Sequence, residues 1–363
     1  MKRLFRFTVS LLFFGFVVLS GQAEFSSLYV FGDGVCTTTN NESPPSIYYY
    51  GKRYSNGRVW IEVLAQRQGL VYESNKNWSF YGHYSRNLVT NVNNFAAPID
   101  ASNALFVVWV NDADFVDFMG TIFPSTNIVT WTNAINQSLS NHLTAITNLY
   151  HAKGARTFVL PNAVDITKIP QYSLIASAAT KNFIRQRIIN FNSAFSGNMM
   201  NQVKANCANI TVFAPDIFTL FDNMVAHSPD YGLTNALYMG QTTDVLEDPL
   251  LSNKSTNGPG TNYIFWDAFD PTAKAHAVIA DFVQQVISPV GITTMTALNG
   301  SSRLDLANVP IGLNGFVDGS TNFSNWTAVT NVTSTNATQS VVAPALGTLQ
   351  FYRLRFPYAW SWP

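Results

Sequence analysis

The stretch LYVFGDGVC, at residues 28–36, joins four apolar residues to a tight turn of Gly32, Asp33 and Gly34. A short apolar run that ends in turn residues is typical of a strand covered on both faces of a sheet. Binding sites of open α/β sheets lie at the carboxyl ends of such strands, so this turn is a candidate site. Glycine carries no side-chain atom that could attack a substrate, so Gly34 itself offers no nucleophile at this turn.

Three further apolar runs follow along the chain, and helical patterns lie between them. The predicted strands are residues 28–31, 104–110, 157–160 and 210–213. The predicted helices are residues 59–68, 135–149, about 173–203, and 271–286. This alternation predicts a parallel central sheet with helices on both faces, which is a three-layer α/β/α sandwich.

The pattern changes near Ser288 and Pro289, after which short β-type segments are separated by Asn, Gly, Ser and Thr. Strands are predicted at residues 326–332, 340–343 and 349–356. The expected division is an α/β domain at 24–288 and a small C-terminal all-β module at 289–363. We interpret the module as a structural or anchoring appendage, with contact to a cell surface or a polysaccharide as the alternative.

The first residues have the pattern of a secretory signal peptide. Lys2, Arg3 and Arg6 precede an apolar core at residues 9–19 that is too short to span a bilayer. Small residues at 21–23 predict cleavage near Ala23. We therefore expect a secreted protein, extracellular or periplasmic.

The composition excludes one class of partner and leaves one question open. Twenty-one basic and 21 acidic residues give no net charge, so the chain has no electrostatic footprint for nucleic acid. The 27 Phe, 15 Tyr and 8 Trp suit a thick core or an apolar groove. Cys36 and Cys207 are the only cysteines, and the sequence leaves open whether they pair.

Six ordered segments resemble motifs of the GDSL, or SGNH, esterase-lipase family over about residues 25–288. The first, FGDGVCTTTNN at 31–41, resembles the family pattern FGDSLSDTGNN. The others are YYGKRYSNGRVW at 49–60, NWSFYG at 77–82, WVND at 109–112, SPDYG at 228–232 and FWDAFDPT at 265–272. Trp109 departs from the glycine of the family's GxND motif.

The resemblance implies an SGNH-hydrolase, flavodoxin-like fold and hydrolysis of acyl or acetyl esters of lipids or carbohydrates, without a cofactor. In this family a serine attacks the carbonyl, a histidine takes its proton, and an aspartate orients the histidine. By position, Gly34 replaces the serine, Asp270 replaces the histidine, and Asp267 matches the acid. Asn111 and Gly82 match the oxyanion-hole donors.

Loss of the nucleophile or the base of a triad typically lowers kcat by about 10⁶-fold. This is about 8 kcal/mol of barrier, which binding alone does not recover. We therefore predict a protein impaired or inactive as a serine esterase that retains a cleft for an acylated or glycan ligand. Two alternatives are an active ester hydrolase with a rearranged site, and a structural or adhesive protein with a vestigial cleft.

Several site residues have a second interpretation. Asp270 before Pro271 is a typical helix N-cap, although its carboxylate could also serve as a general base. Asp33, Asp267 and Asp270 could together bind Ca²⁺ or Mg²⁺, or a carboxylate pair could act on a glycosidic bond. Cys36 is the one nearby thiol, interpreted as a buried or disulfide residue rather than a nucleophile.

Histidines near these motifs are interpreted as structural. His83 follows Gly82 directly, and His276 lies on the last predicted helix of the α/β domain. Surface or packing roles are favoured for both. No zinc-ligand spacing occurs among the histidines and cysteines.

Overall fold

A four-stranded parallel sheet lies at the centre of the computed structural model, which describes residues 25–39, 48–175, 177–347, 350–357 and 361–362. Its strands lie in chain order and are β1 (Leu28–Gly32), β2 (Leu105–Trp109), β3 (Thr157–Val159) and β4 (Thr211–Phe213). Every residue of β1 and β2 is buried, as expected for strands covered on both faces. Because all four strands are parallel, their carboxyl ends share one edge.

The free edge of β1 is extended by the segment that leads to Gly82. Asn77 forms a parallel bridge to Val30, and the Trp78 N–H donates to the Val30 carbonyl oxygen at 2.7 Å. The Phe80 N–H donates to the Gly32 carbonyl oxygen at 3.3 Å. These bonds hold the 77–82 segment alongside β1, so that Gly82 reaches the same edge of the sheet as Gly34.

Helices flank the sheet and complete the predicted three-layer α/β/α sandwich, so the predicted fold class is confirmed. They are α1 (Trp60–Arg67), α2 (Ser85–Asn94), α3 (Asn111–Thr121), α4 (Ile128–Lys153), α5 (Pro170–Ser173), α6 (Ala178–Ala194), α7 (Met200–Asn206), α8 (Ile217–Ala226) and α9 (Ala273–Ile287). Helix α1 packs against α9, and α2 packs against α4. A π-helical turn, Phe195–Met199, joins α6 to α7. None of the helices in the described ranges is long and apolar enough to cross a membrane.

The start of α9 differs from the sequence prediction. Its N-cap is Thr272, whose Oγ1 accepts from the Ala275 N–H at 3.3 Å, and the helix begins at Ala273. Asp270 and Pro271 therefore precede the helix, and the predicted capping role of Asp270 is wrong. The reason is the turn before the helix, in which the Asp270 carbonyl oxygen accepts from the Trp266 N–H at 2.8 Å.

The C-terminal part is all-β, as predicted. A short hairpin of β5 (Leu237–Tyr238) and β6 (Gln241–Thr242) lies earlier in the chain, before α9. The strands of the C-terminal part are β7 (Gly291–Leu298), β8 (Ser301–Ala307), β9 (Gly315–Ser320), β10 (Thr327–Val332), β11 (Gln339–Pro344), β12 (Phe351–Arg355) and β13 (Ser361–Trp362). One antiparallel sheet has the order β10-β9-β12-β13 and the other the order β11-β8-β7. Between them lies a small separate core that includes Leu304, Val317 and Leu354. The predicted signal peptide at residues 1–23 lies outside the described residues.

A buried ion pair connects α1 and α9 with the C-terminal strands. Arg67 Nε lies 2.6 Å from Asp281 Oδ1, and both side chains are buried. Arg67 Nη1 also donates to the Ile311 carbonyl oxygen at 3.1 Å. Burial raises the pKa of Asp281 to about 6, although the charge of Arg67 acts in the opposite direction.

Replacement of Arg67 by Met should destabilise the protein by about 3 kcal/mol at pH 7, because it leaves Asp281 buried without a cation. The pKa of Asp281 is above the unfolded value, so ionisation of this group costs stability as the pH rises through 4 to 6. The loss should therefore be smaller at pH 5, where folded Asp281 can remain protonated. Urea unfolding of both proteins at pH 5 and pH 7 measures this difference. An equal loss at both pH values would contradict the account.

Candidate functional site

Gly34 and Asp270 face each other at the carboxyl end of β1. Gly34 begins a single 3₁₀ turn, Gly34–Cys36, in which Asp33 Oδ1 accepts from the Val35 N–H at 3.2 Å. A Cβ atom placed on Gly34 would lie 3.3 Å from Asp270 Oδ1 and 3.4 Å from Tyr81 Cδ2. The fold thus brings together two residues that are more than 230 positions apart in the chain, at the positions that the motifs indicate.

Asp267 holds the turn that presents Asp270. Its Oδ1 accepts from the backbone N–H groups of Phe269 and Asp270, each at 2.9 Å. Its Oδ2 accepts from the Tyr49 hydroxyl at 3.0 Å. In the described part of the chain, no donor lies within hydrogen-bonding distance of the carboxylate oxygens of Asp270, which is 3% exposed. Asp267 therefore orients a carboxylate here, where the family motif has an imidazole.

Burial dominates the electrostatics of this site. It raises the pKa of Asp270 well above the ordinary value, and the charges of Asp267 and Asp33 add to the shift. The pKa of Asp33 is raised to about 7 by burial, and that of Asp112 is raised by burial and by the Asp33 charge. Burial thus shifts Asp270 toward its protonated form, and a protonated carboxyl accepts no proton.

A cavity of about 110 Å³ opens beside Gly34. Its wall is mostly apolar and includes Val35, Val116, Val164, Ile166, Ile169, Ile217, Leu220, Phe221, Met224, Phe265, Phe269 and Ile279. Polar atoms come from Asp33, Asp112, Asp270, Tyr81 and Tyr84. This arrangement can hold an apolar group with one end next to Gly34.

The two glycines offer backbone donors to the cavity. Gly82 lines it and has a left-handed φ of 71°, a conformation that favours glycine. Among the described residues, the N–H groups of Gly34 and Gly82 donate to no protein acceptor. These two N–H groups could donate hydrogen bonds to the carbonyl oxygen of a ligand.

Asn111 is placed differently from the two glycines. It is the first residue of α3 and is fully buried. Its Nδ2 donates to the Pro161 carbonyl oxygen at 2.9 Å, and the residue does not line the cavity. Its neighbour Asp112 does line the cavity, and Asp112 Oδ1 accepts from the Val164 N–H at 2.8 Å. The structure thus brings the next residue of the motif to the cavity wall.

Imidazoles lie in the core near the site, but none lines the cavity within the described ranges. His83 stacks on Phe80 with ring centroids 4.2 Å apart, and its Nδ1 lies 2.9 Å from the Gly32 carbonyl oxygen. Burial lowers the pKa of His83 to about 4 and that of His276 to about 3. Both rings are therefore neutral core side chains.

The two cysteines are free and buried. Cys36 Sγ accepts from Trp60 Nε1 at 3.3 Å, and burial raises the pKa of this thiol well above its usual value. A thiol of this kind forms little thiolate, which is the nucleophilic form. In the part of the chain that the structure describes, no three His, Cys, Asp or Glu side chains are placed to hold a metal ion.

A second, polar hollow of about 380 Å³ lies on the other side of Asp270 and Tyr81. Its wall also contains Tyr49, Tyr54, Asp244, Glu247 and Asp267. The sequence analysis did not identify Tyr81, Asp112, Asp244 or Glu247 as site residues. Tyr81 lies inside the NWSFYG segment and Asp112 inside the WVND segment, a signal that could have indicated them. Asp244 and Glu247 lie in a loop without a motif.

Comparison with known proteins gives one family. The family model described as GDSL-like lipase/acylhydrolase matches residues 28–283. A GDSL esterase/lipase of Arabidopsis thaliana is 25% identical over 331 residues, which cover 74% of this chain and 90% of the relative. Another from the same plant is 22% identical over 349 residues, covering 77% and 88%. An acetylxylan esterase from Geobacillus stearothermophilus has a TM-score of 0.40 and 11% identity, covering 74% of this chain and 95% of that structure.

The burial of both thiols gives a direct test of the site. Native protein should react with less than about 0.1 equivalent of a thiol reagent over minutes at pH 7.5, because neither thiol is accessible or ionised. After unfolding in guanidinium chloride, both cysteines should react. Colorimetric thiol titration measures both values. Fast reaction of one thiol in the native protein, lost in Cys36→Ser but retained in Cys207→Ser, would restore Cys36 as a candidate nucleophile.

Proposed function

Because the chain belongs to the GDSL-like lipase/acylhydrolase family, we propose that it binds an acylated small molecule without the serine–histidine chemistry of that family. The observation that carries this proposal is the pairing of Gly34 with a buried carboxyl, at the mouth of an apolar cavity. A hydroxyl and an imidazole would be needed at these two positions for acyl transfer.

The proposed loss of activity rests on two separate deficits. Gly34 supplies no attacking atom, and burial raises the pKa of Asp270, which shifts this group toward the protonated form that takes no proton. Removal of either the nucleophile or the base from a triad costs about 10⁶-fold in kcat. The backbone N–H groups of Gly34 and Gly82 could still polarise a bound carbonyl. This effect would raise the rate over that in water by about 10³-fold at most.

The lining of the cavity favours an acyl chain over a glycan as the group held there. A sugar ring would need polar partners on several sides, whereas the deep wall of this cavity is formed by aliphatic and aromatic side chains. Each buried methylene contributes about 0.8 kcal/mol. In this proposal Asn111 supports the wall through Pro161 and is not in contact with the ligand.

The remaining proposals concern location and domain organisation. We propose that the protein is exported by the signal peptide at residues 1–23 and that a distinct module begins at 289. The separate apolar core around Leu304 and Val317 supports the second point. Contact of this module with a cell surface or a polysaccharide is the functional alternative to a purely structural role.

Restoring both missing groups should restore hydrolysis. The double variant Gly34→Ser with Asp270→His should hydrolyse p-nitrophenyl butanoate at least about 10²-fold faster than the wild type, because serine and imidazole then stand in the triad arrangement. Each single variant should stay near the wild-type rate, because one group without the other does not form the pair. Initial rates at pH 7.5 measure this.

Two controls separate the competing functions. A wild-type rate well above that of Asp270→Ala, a variant of a residue that lines the cavity, would indicate a working hydrolase with a rearranged site, and would contradict the proposal. A folded double variant without activity would show that the cavity itself no longer positions an ester. Circular dichroism of each variant establishes that it is folded.

Affinity should follow the length of the acyl chain. Methyl hexanoate should bind more tightly than methyl butanoate, by about fourfold per added methylene until the cavity is full. Ala113 lines the cavity, so Ala113→Leu should lower the affinity for the longer ester at least about tenfold by filling that space. Ala152 is exposed on α4, and Ala152→Leu is the matched control. Calorimetric titration measures each affinity, and a flat dependence on chain length would exclude the cavity as the acyl site.

A further inference from the structure

The polar hollow and the apolar cavity share a wall at Asp270 and Tyr81. Gly34 faces both of these residues. A ligand with its ester group at Gly34 can therefore place one part in the apolar cavity and the other in the polar hollow. If the acyl chain fills the apolar cavity, as in the proposed function, the alcohol part of the ligand lies in the hollow. The hollow therefore determines which alcohol is accepted.

Four carboxyl groups line the hollow, namely those of Asp244, Glu247, Asp267 and Asp270. Within the described ranges none of them takes part in an ion pair, and no Arg, Lys or His lines the hollow. The charges that act most strongly on Asp244 and Asp270 are those of other carboxyl groups. A positive charge in this space would be attracted by those of the four groups that are ionised, and it would favour ionisation of the protonated ones.

Asp270 also lacks a partner of its own. It is 3% exposed, and no donor in the described residues lies within hydrogen-bonding distance of its carboxylate oxygens. A buried carboxyl without a partner is costly, so it indicates a group that the protein itself does not supply. The side chain lines both spaces, which puts this missing partner at their junction.

Three tyrosines and Phe269 form the aromatic part of the wall. The ring centroid of Tyr54 lies 6.1 Å from that of Tyr49 and 5.1 Å from that of Tyr81. Tyrosine rings attract ammonium groups that lie within about 6 Å of the ring centroid. Tyrosines beside carboxylates are thus suited to an alkylammonium group.

We propose that the hollow binds an ammonium group, so that the ligand is the ester of a short fatty acid with an ammonium-bearing alcohol. A bare metal ion fits less well, because no three carboxylates in the described residues are placed to coordinate one. A sugar fits less well, because among the described residues no side chain of the wall carries an amide, guanidinium or imidazole donor. The Tyr49 hydroxyl, which could have donated to a sugar, already donates to Asp267.

The test compares two esters that differ only in charge. Butanoylcholine and 3,3-dimethylbutyl butanoate have the same shape, with a quaternary nitrogen in the first and a carbon atom in the second. Butanoylcholine should bind about tenfold more tightly to the wild type, as measured by calorimetric titration. Glu247→Gln, at the exposed rim, and Asp244→Asn should each reduce this preference at least about threefold. Asp230→Asn, which removes an exposed charge outside the hollow, is the matched control and should leave the preference unchanged.

The other outcomes are distinct from one another. Equal affinity for the two esters would overturn the ammonium site while the acyl cavity stands. Binding of choline alone, with no gain from the butanoyl group, would support the ammonium site and contradict the proposed acyl cavity. Tighter binding of a butanoyl glucose ester than of butanoylcholine would assign the hollow to a sugar and overturn the inference. Absence of binding by all of these probes would overturn both proposals.

Discussion

The site depends on one turn, in which Asp267 Oδ1 accepts two consecutive backbone N–H groups and the Trp266 N–H donates back to Asp270. This turn fixes the position of the Asp270 carboxyl next to the turn that follows β1. Because of this turn, α9 begins only after Thr272, which is its N-cap. The side chain of Asp270 then becomes the partition between an apolar cavity and a polar hollow. Without the turn, neither space would have its shared wall.

Burial of the carboxyl groups around this partition lowers the stability of the folded protein, and interactions elsewhere in the fold have to offset that loss. Buried carboxyls raise one another's pKa, so each one is pushed toward its neutral form. The central sheet is covered on both faces, and aromatic residues pack between the layers. The stability of this core offsets the unfavourable burial of the carboxyl groups. The contrast with Arg67 and Asp281 is informative, because there a buried carboxyl is given a cation. Beside Gly34 and in the adjacent hollow, the described residues provide none.

The sequence predicted the four strands of the central sheet well because each is a short apolar run, and β1 and β2 are buried along their whole length. Helix α2 was not predicted, since only Ser85, Leu88 and Val92 of its residues are buried and the rest of its sequence is polar. Helix α3 begins with acidic residues directly after β2, so the end of the strand gave no sign that a helix followed. The cap of α9 was assigned to Asp270 because Asp followed by Pro is a typical helix start, although Thr272 is also a good cap. Which of them acts is decided by bonds to Trp266 and Asp267, which a local pattern does not reveal.

Motif matching located the site but did not give the direction of each side chain. Asn111 occupies the motif position, yet its amide donates to Pro161, which lies 50 positions later in the chain. Asp112 faces the cavity in its place. The orientation of such a side chain depends on the strand that packs beside it. Gly34 and Gly82 line the cavity, whereas Asn111 does not, and the roles of all three as donors to a ligand stay predictions.

The two departures from the triad are physically linked. A Cβ atom on Gly34 would stand only 3.3 Å from Asp270 Oδ1, closer than most such contacts in proteins, so the carboxyl fits best beside a residue that has no side chain. Conversely, a buried carboxyl offers a serine hydroxyl no neutral imidazole to receive its proton. Glycine at one position thus accommodates aspartate at the other, and together they form a smooth, acidic junction between two spaces. In the proposed function, such a junction binds an ester across the two spaces without a serine hydroxyl or an imidazole to break the ester bond.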